Sequence, residues 1–356
     1  MGKVRRQERS FYKGRIPVLV DSFGRVLDYL RVSITDRCNL RCVYCMPPDG
    51  VNWKPHESML TFEEILRLVK IMAGLGVRKI KVTGGEPLVR RGTASFLKSL
   101  KAVPKIVKVT ITTNGFLLEK YLDEAEAISP GSMPDGVNIS MDALDEGRFS
   151  RIARTENLRP EEILPNIDRL LGKKIPVKIN CVAVRGFNEE EIIPLALLAK
   201  DRNITVRFIE LMPMGSAVEY EPVPGDEIAS VIEKAFGRLS PFSGVEGSGP
   251  AVYYSLQGFA GKIGFINPLS HGFCESCNRL RLTSEGSLKL CLSAALALDL
   301  REPLRSGASD EDLVKAITEA AIKKPQFHNL SGVYSGEQTC GGTRREGRDG
   351  MFSIGG

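Results

Sequence analysis

From residue 30 to residue 212 the chain repeats one pattern: a short β-branched run, a turn, then apolar residues at helical spacing. Residues 30–35 (LRVSIT) read as the first strand. Residues 79–83 (KIKVT), 107–113, 137–141 (VNISM), 177–184 (VKINCVAV) and 205–212 (TVRFIELM) read as the next five. Between the first two, Thr61 and Glu64 form a capping-box pattern. Phe62, Ile65, Leu66, Val69, Met72 and Ala73 then fall on one helical face, and Gly74 and Gly76 end it. Residues 188–200 carry a similar pattern. Six such units predict a parallel sheet with helices outside it. An open doubly wound sheet and a partial barrel both fit the count. The strand ends favour the barrel, because almost every one carries a group capable of chemistry: Thr83, Asn114, Ser140 with Asp142, Asn180, Glu210. In barrel enzymes such ends converge on one cavity. The expected fold is therefore α/β, a partial (βα)6 TIM-type barrel over 30–212.

After residue 212 the pattern changes. Proline and glycine become dense as far as Pro250, then short strand-like runs follow, with one helix near 310–322. A smaller C-terminal region is expected over 213–340, and a glycine-rich tail over 341–356. Residues 1–29 form a basic arm: the first 25 residues hold seven Lys/Arg against two Asp/Glu. It reads as a solvated tail. It lacks the apolar core of a secretory signal, and no apolar run approaches the ~20 residues of a membrane span. A cytoplasmic chain is expected. Lys and Arg total 49 against 43 Asp and Glu, a net charge of +6. That excess is too mild for a chain that coats nucleic acid, and it suits a polyanionic small molecule equally well.

Six of the eight cysteines fall in two tight groups. Cys38, Cys42 and Cys45 follow the first strand. Iron–sulfur cubes usually take four cysteines, so three leave one iron able to bind a small molecule. Structural zinc, with His56 as a fourth ligand, is the alternative. Cys274, Cys277 and Cys291 form the second group, with Arg279 and Arg281 between them. Two arginines at i and i+2 on a strand point the same way and can clamp phosphates or a purine edge. Zinc completed by His271 is the alternative here too. Cys181 reads as a packing residue and Cys340 as a free thiol.

Cys-x3-Cys-x2-Cys, with Tyr44 before its last cysteine, resembles the radical S-adenosylmethionine (SAM) signature. Thr83-Gly84-Gly85-Glu86-Pro87 at the end of the second strand resembles the segment that contacts the SAM amino group in that superfamily. DRCNLRCVYCMP, KVTGGEPLVRRG, TITTNG, NISMDA, RFIELMPMG, FCESCNRLRL and the terminal Gly355-Gly356 together resemble one family along nearly the whole chain. That family is the GTP 3′,8-cyclases of molybdenum cofactor biosynthesis.

The resemblance implies two [4Fe-4S] clusters, one on Cys38, Cys42 and Cys45 and one on Cys274, Cys277 and Cys291. It implies SAM contacts at Tyr44, Gly85, Ser140 and Met212. It implies GTP contacts at Arg31, Lys81, Thr112, Lys178, Arg207, Arg279 and Arg281, with Gly355 and Gly356 reaching into the active site. Lys81 stands where the family commonly has arginine, which keeps the charge but loses the bidentate fork. The implied reaction opens with a 5′-deoxyadenosyl radical taking the ribose 3′ hydrogen of GTP, after which the sugar carbon attacks guanine C8. No acid–base pair is needed for that step, in keeping with a chain of three histidines. The implied partners are a second copy of the chain, an electron donor such as flavodoxin or ferredoxin, and a cyclic pyranopterin monophosphate synthase downstream. A peptide-modifying radical SAM enzyme and a zinc-dependent nucleic-acid-binding protein are the competing readings. The first is disfavoured by the two arginines inside the second cysteine group, the second by the TGGEP segment.

Overall fold

The computed structural model describes residues 18–328 and 330, apart from 245, 246, 248, 295, 296 and 329. Cys340, Gly355 and Gly356 therefore lie outside the described residues. Six strands follow the expected series: β1 (Tyr29–Ser33), β2 (Lys79–Thr83), β3 (Lys108–Thr113), β4 (Val137–Ser140), β5 (Val177–Ala183) and β6 (Thr205–Glu210). The C-terminal region adds β7 (Ser240–Pro241), β8 (Val252–Ser255), β9 (Lys262–Ile266), β10 (Arg279–Leu282), β11 (Ser287–Lys289) and β12 (Ala297–Asp299). The helices are α1 (Phe62–Gly74), α2 (Thr93–Lys101), α3 (Leu118–Ile128), α4 (Glu146–Ala153), α5 (Leu164–Gly172), α6 (Ile192–Asp201), α7 (Gly225–Phe236), α8 (Arg301–Arg305) and α9 (Asp310–Ile322). α1 starts as its sequence predicts: the Thr61 side chain accepts from the Glu64 N–H, and the Glu64 carboxylate accepts from the Thr61 N–H.

All twelve strands join one sheet, in the order β12-β11-β10-β1-β2-β3-β4-β5-β6-β9-β8-β7. The six expected parallel strands are flanked by β10, parallel to β1, and β9, parallel to β6. Beyond these the sheet turns antiparallel at both edges. The C-terminal region is thus built onto both edges of the barrel sheet. The approach is close: a Cβ on Gly261 would stand 2.1 Å from the Ile204 carbonyl oxygen, so a side chain at that position would push β9 off β6.

The parallel strands alternate with a period of two. β5 shows it plainly, with Val177, Ile179, Cys181 and Ala183 buried and Lys178, Asn180 and Val182 between them only half-buried. Leu30, Val32, Ile80, Val82, Ile111, Ile139 and Phe208 extend the buried face into one apolar core. The opposite face is polar. Side chains from β1 to β6 line one cavity together with Ile266 of β9 and Arg279 of β10. Strands at opposite ends of the parallel stretch can share a cavity only if the sheet curls, so the architecture is a partial barrel. Part of the basic arm departs from the expected tail: Leu19 and Leu27 are buried in the core, and Val20 bridges Val26. No helix among the described residues is long and apolar enough to cross a membrane.

Phe208 on β6 is fully buried, with its ring centroid 6.3 Å from that of Phe265 on β9. Phe208→Ala is expected to cost about 3–5 kcal/mol. Because the two regions share that core, urea melts read by circular dichroism and by fluorescence of the single tryptophan, Trp53, should coincide. Two separated transitions would contradict the shared core.

Candidate active site

The polar face of the barrel encloses a cavity of about 260 Å³. Its lining holds seven lysines and arginines and, among the described residues, one carboxylate, Asp135, which is 2.7 Å from Lys101. The strand register explains the crowding of charge. Lys81 pairs with Arg31 across β2 and β1, and Arg31 pairs with Arg281 across β1 and β10, so three cations stand in one row. Tyr29 is level with Arg279 in the row below. Asn180 is level with Arg207 and accepts from its Nε at 2.9 Å and Nη2 at 2.5 Å, which fixes the guanidinium plane. With its amide oxygen turned inward, Asn138 accepts from Arg207 Nη2 at 3.0 Å and from Lys81. Lys178 donates to the Tyr253 hydroxyl at 3.1 Å and lies over its ring.

These cations repel one another in a dry place. Burial, then Arg207 and Arg31, hold the Lys81 ammonium well below the usual lysine range. Burial brings Arg31 down to about 10, opposed by Tyr29 and assisted by Arg279 and Arg207. Burial, with Arg31 and Arg279, also depresses Arg281 strongly. Arg281 is buried beside the cavity and is absent from its lining. A polyanion entering this space would relieve the repulsion and meet oriented donors.

The first cysteine group lines an adjoining cavity of about 190 Å³. Its loop is docked on α4, where the Arg41 N–H donates to the Ala153 carbonyl at 3.0 Å and the Val43 N–H to the Ile152 carbonyl at 2.9 Å. Opposite stands the glycine turn after β2. A Cβ on Gly85 would lie 2.4 Å from the Arg37 carbonyl oxygen and 2.6 Å from that of Asp36, so only glycine lets the two loops meet. Glu86 fastens this turn to the end of β3. Its carboxylate accepts from the Leu88 N–H at 2.9 Å, the Thr113 hydroxyl at 2.7 Å and the Asn114 N–H at 2.6 Å. Burial nevertheless pushes the Glu86 carboxyl up to about 7. Tyr44 donates to Asp142 at 2.6 Å, and burial pushes Asp142 up to about 6.

The donor chemistry suits an iron–sulfur cluster. Burial raises the Cys38 thiol to about 11 and Cys42 well above its usual range, so thiolates here need a cationic centre to hold them. Among the described residues no three His, Cys, Asp or Glu side chains converge as one metal ion would require. A cube of iron and sulfide holds its thiolates further apart than a single ion does. At the second group His271, the candidate fourth ligand for zinc, has its Nε2 3.5 Å from Asp226.

In that second group, Cys274 begins the short turn that leads through Cys277 into β10, and Cys291 follows β11. Arg281 is level with Lys289 across β10 and β11. Arg279 Nη2 is 3.7 Å from Cys277 Sγ. Burial pushes the Cys277 thiol up, but Arg279 and Lys324 outweigh it and bring the thiol down to about 7.

Thr112, Asn180 and Ile209 line both cavities, so the two spaces meet. Thr112 Oγ1 is buried at this junction and finds no partner among the described residues. Of the residues implied for SAM, Tyr44, Gly85 and Ser140 line the cysteine cavity, while half-buried Met212 lines neither space. Of those implied for GTP, Arg31, Lys81, Thr112, Lys178, Arg207 and Arg279 line the cationic one. Sequence reasoning missed Asn138, Tyr253 and the orienting role of Asn180. The two asparagines were accessible from alternation, since each lies two residues from a residue already assigned to the site. Tyr253 comes from β8 and had no local signal.

A partial barrel with a three-cysteine loop after its first strand defines a radical SAM protein. Residues 32–199 match the Radical SAM superfamily, and residues 204–330 match Molybdenum Cofactor Synthesis C. The chain is 43% identical over 310 residues to GTP 3′,8-cyclase of Clostridium perfringens (strain 13 / Type A), covering 87% of this chain and 94% of that protein. It is 43% identical over 315 residues to the GTP 3′,8-cyclase of Pelotomaculum thermopropionicum, with 87% and 95% covered. The chain belongs to the GTP 3′,8-cyclase family. The structure of Streptococcus suis SuiB bound to S-adenosylmethionine shares the fold, with a TM-score of 0.56 at 16% identity over 89% of this chain and 70% of that one.

Glu86 and Asp142 set a pH dependence for the protein without cofactors. Both carboxyls titrate higher in the folded chain than in the unfolded one. The unfolded chain therefore loses these protons first, and stability falls as pH rises from about 4 to about 7, by on the order of 3 kcal/mol for each group. Urea midpoints across that range should show the decline in the wild type and a shallower one in Glu86→Gln. Parallel curves would contradict it.

Proposed function

We propose that this chain converts GTP to (8S)-3′,8-cyclo-7,8-dihydroguanosine 5′-triphosphate, the first step of molybdenum cofactor biosynthesis. The observation that carries this reading is the junction at Thr112, Asn180 and Ile209, where a thiol-lined cavity opens into a cationic one. Cys38, Cys42 and Cys45 would hold a [4Fe-4S] cluster, and SAM bound there would supply the radical chemistry that removes the ribose 3′ hydrogen.

The chain's own residues do the rest by placement. Arg31, Lys81, Lys178 and Arg207 hold the triphosphate in the cationic cavity, and Asn138 and Asn180 fix the direction of Arg207. Lys81 brings charge without a fork, and its neighbours supply the bidentate contacts. Thr112 offers its hydroxyl where the two ligands meet. Tyr44, Gly85, Ser140 and Met212 are assigned to SAM. Cys274, Cys277 and Cys291 hold the second cluster beside Arg279 and Arg281, where the guanine would bind. Holding the ribose carbon next to the radical source in an enclosed space favours transfer over quenching by water. The reading takes in a homodimer in the cytoplasm, a flavodoxin- or ferredoxin-type electron donor, and a cyclic pyranopterin monophosphate synthase that consumes the product. Support for these partners is the chemistry alone: the cluster needs an electron, and the cyclised nucleotide is unstable.

Arg279→Ala combined with Arg281→Ala should raise the Kd for GTP at least about tenfold, since a charged hydrogen bond contributes ~1.5–3 kcal/mol. Iron content should be unchanged. Normal GTP affinity in the double variant, measured by anaerobic equilibrium dialysis, would remove GTP from this site. Replacing Cys38, Cys42 and Cys45 with serine should abolish SAM cleavage and leave GTP binding intact.

A further inference from the structure

Lys324, just past the end of α9, has its ammonium buried, with 2% of the residue exposed. Its Nζ donates to the Arg279 carbonyl at 2.9 Å and to the Leu290 carbonyl. Arg279 is two residues after Cys277, and Leu290 immediately precedes Cys291. One ammonium therefore ties together the two segments that adjoin these cysteines. The surrounding segment is itself fastened. Arg25 donates to the Cys274 carbonyl at 2.7 Å, the Gln326 carbonyl at 2.9 Å and the Pro325 carbonyl at 2.6 Å. His328 Nε2 lies 2.8 Å from the Pro268 carbonyl oxygen.

The charges of the two buried cations are handled differently. Arg25 carries its own counter-ion, Asp21, at 2.5 Å. Among the described residues no carboxylate pairs with Lys324; burial brings its ammonium below the usual lysine range, and the sulfurs of Cys277 and Cys291 oppose that shift. A buried ammonium left without an anion costs several kcal/mol. Three thiolates around an iron–sulfur cluster leave that cluster net negative, and more so when reduced. We propose that Lys324 is the counter-charge of the second cluster: a positioning residue that locks the Cys277 and Cys291 segments together and makes this cluster easier to reduce. The inference rests on the reading that Cys274, Cys277 and Cys291 hold an iron–sulfur cluster. Net charge and hydrogen bonding near the sulfurs are established determinants of cluster potential.

The test uses the holoenzyme with Lys324→Gln, which keeps a donor but loses the charge, and Lys324→Arg, which keeps the charge. Redox titration followed by electron paramagnetic resonance would report both clusters, the second being the signal absent from a Cys291→Ala chain. In Lys324→Gln the reduced-to-oxidised ratio of the second cluster at a fixed poise should fall roughly tenfold, equivalent to 59 mV for one electron. The first cluster should not move, and Lys324→Arg should restore the second. Loss of second-site iron in Lys324→Gln but not in Lys324→Arg supports the same role for the charge. An unchanged potential in Lys324→Gln overturns the proposal, as does equal loss of iron or potential in both variants. A wild-type chain holding about four irons instead of about eight would sink the two-cluster reading itself.

Discussion

A row of like charges on the inner face of the sheet is the constraint on which the rest of the structure depends. Lys81, Arg31 and Arg281 are in register on neighbouring strands, and Arg207 and Lys178 face the same space. Among the described residues the lining holds one carboxylate, Asp135, and it sits against Lys101. Such an arrangement persists only if the backbone cannot splay to relieve it. The opposite face of the same strands supplies that rigidity: Leu30, Val32, Ile80, Val82 and Phe208 are fully buried against the helices. Each strand thus does two jobs, and the period of two keeps them apart. The cost of the charges is held in reserve until a polyanion arrives.

The same geometry explains how radical chemistry is confined. The cysteine loop sits at the strand ends, where the glycine turn after β2 lets it approach the backbone closely. Glu86 anchors that turn to the end of β3 through two hydrogen bonds, from Thr113 and Asn114, so the loop faces a fixed wall. Thr112 and Asn180 reach both this space and the cationic one. Two ligands can then meet with no intervening helix or loop. Arg279, two residues after Cys277, reaches the cationic cavity because β10 pairs with β1.

Much of this was legible in the residues. The six parallel strands appear within one or two residues of their expected limits, since β-branched runs closed by glycine or asparagine leave few alternatives. The Thr61–Glu64 capping box forms as written. Arg279 lines the cationic cavity, whereas Arg281, two residues on, is buried and absent from its lining. The pairing of β9 and β10 onto opposite edges of the barrel was not legible. Strand partners far apart in sequence are chosen by shape and exposed edges, and five-residue runs such as KIGFI carry no record of them. The burial of Leu19, Asp21 and Arg25 in a stretch that reads as a charged arm was hidden for the same reason: the partners of Arg25 lie about three hundred residues away. Asn138 and Tyr253 escaped because neutral polar side chains acquire a role only from the cations beside them.

The most direct measurement is deuterium transfer from GTP labelled at the ribose 3′ position. The protein would be reconstituted anaerobically with iron and sulfide, given SAM and a reductant, and the 5′-deoxyadenosine analysed by mass spectrometry, with ATP and no nucleotide as controls. The account predicts 5′-deoxyadenosine formed in response to GTP and carrying the deuterium. Equal formation with ATP or without nucleotide, or product free of label, would contradict it.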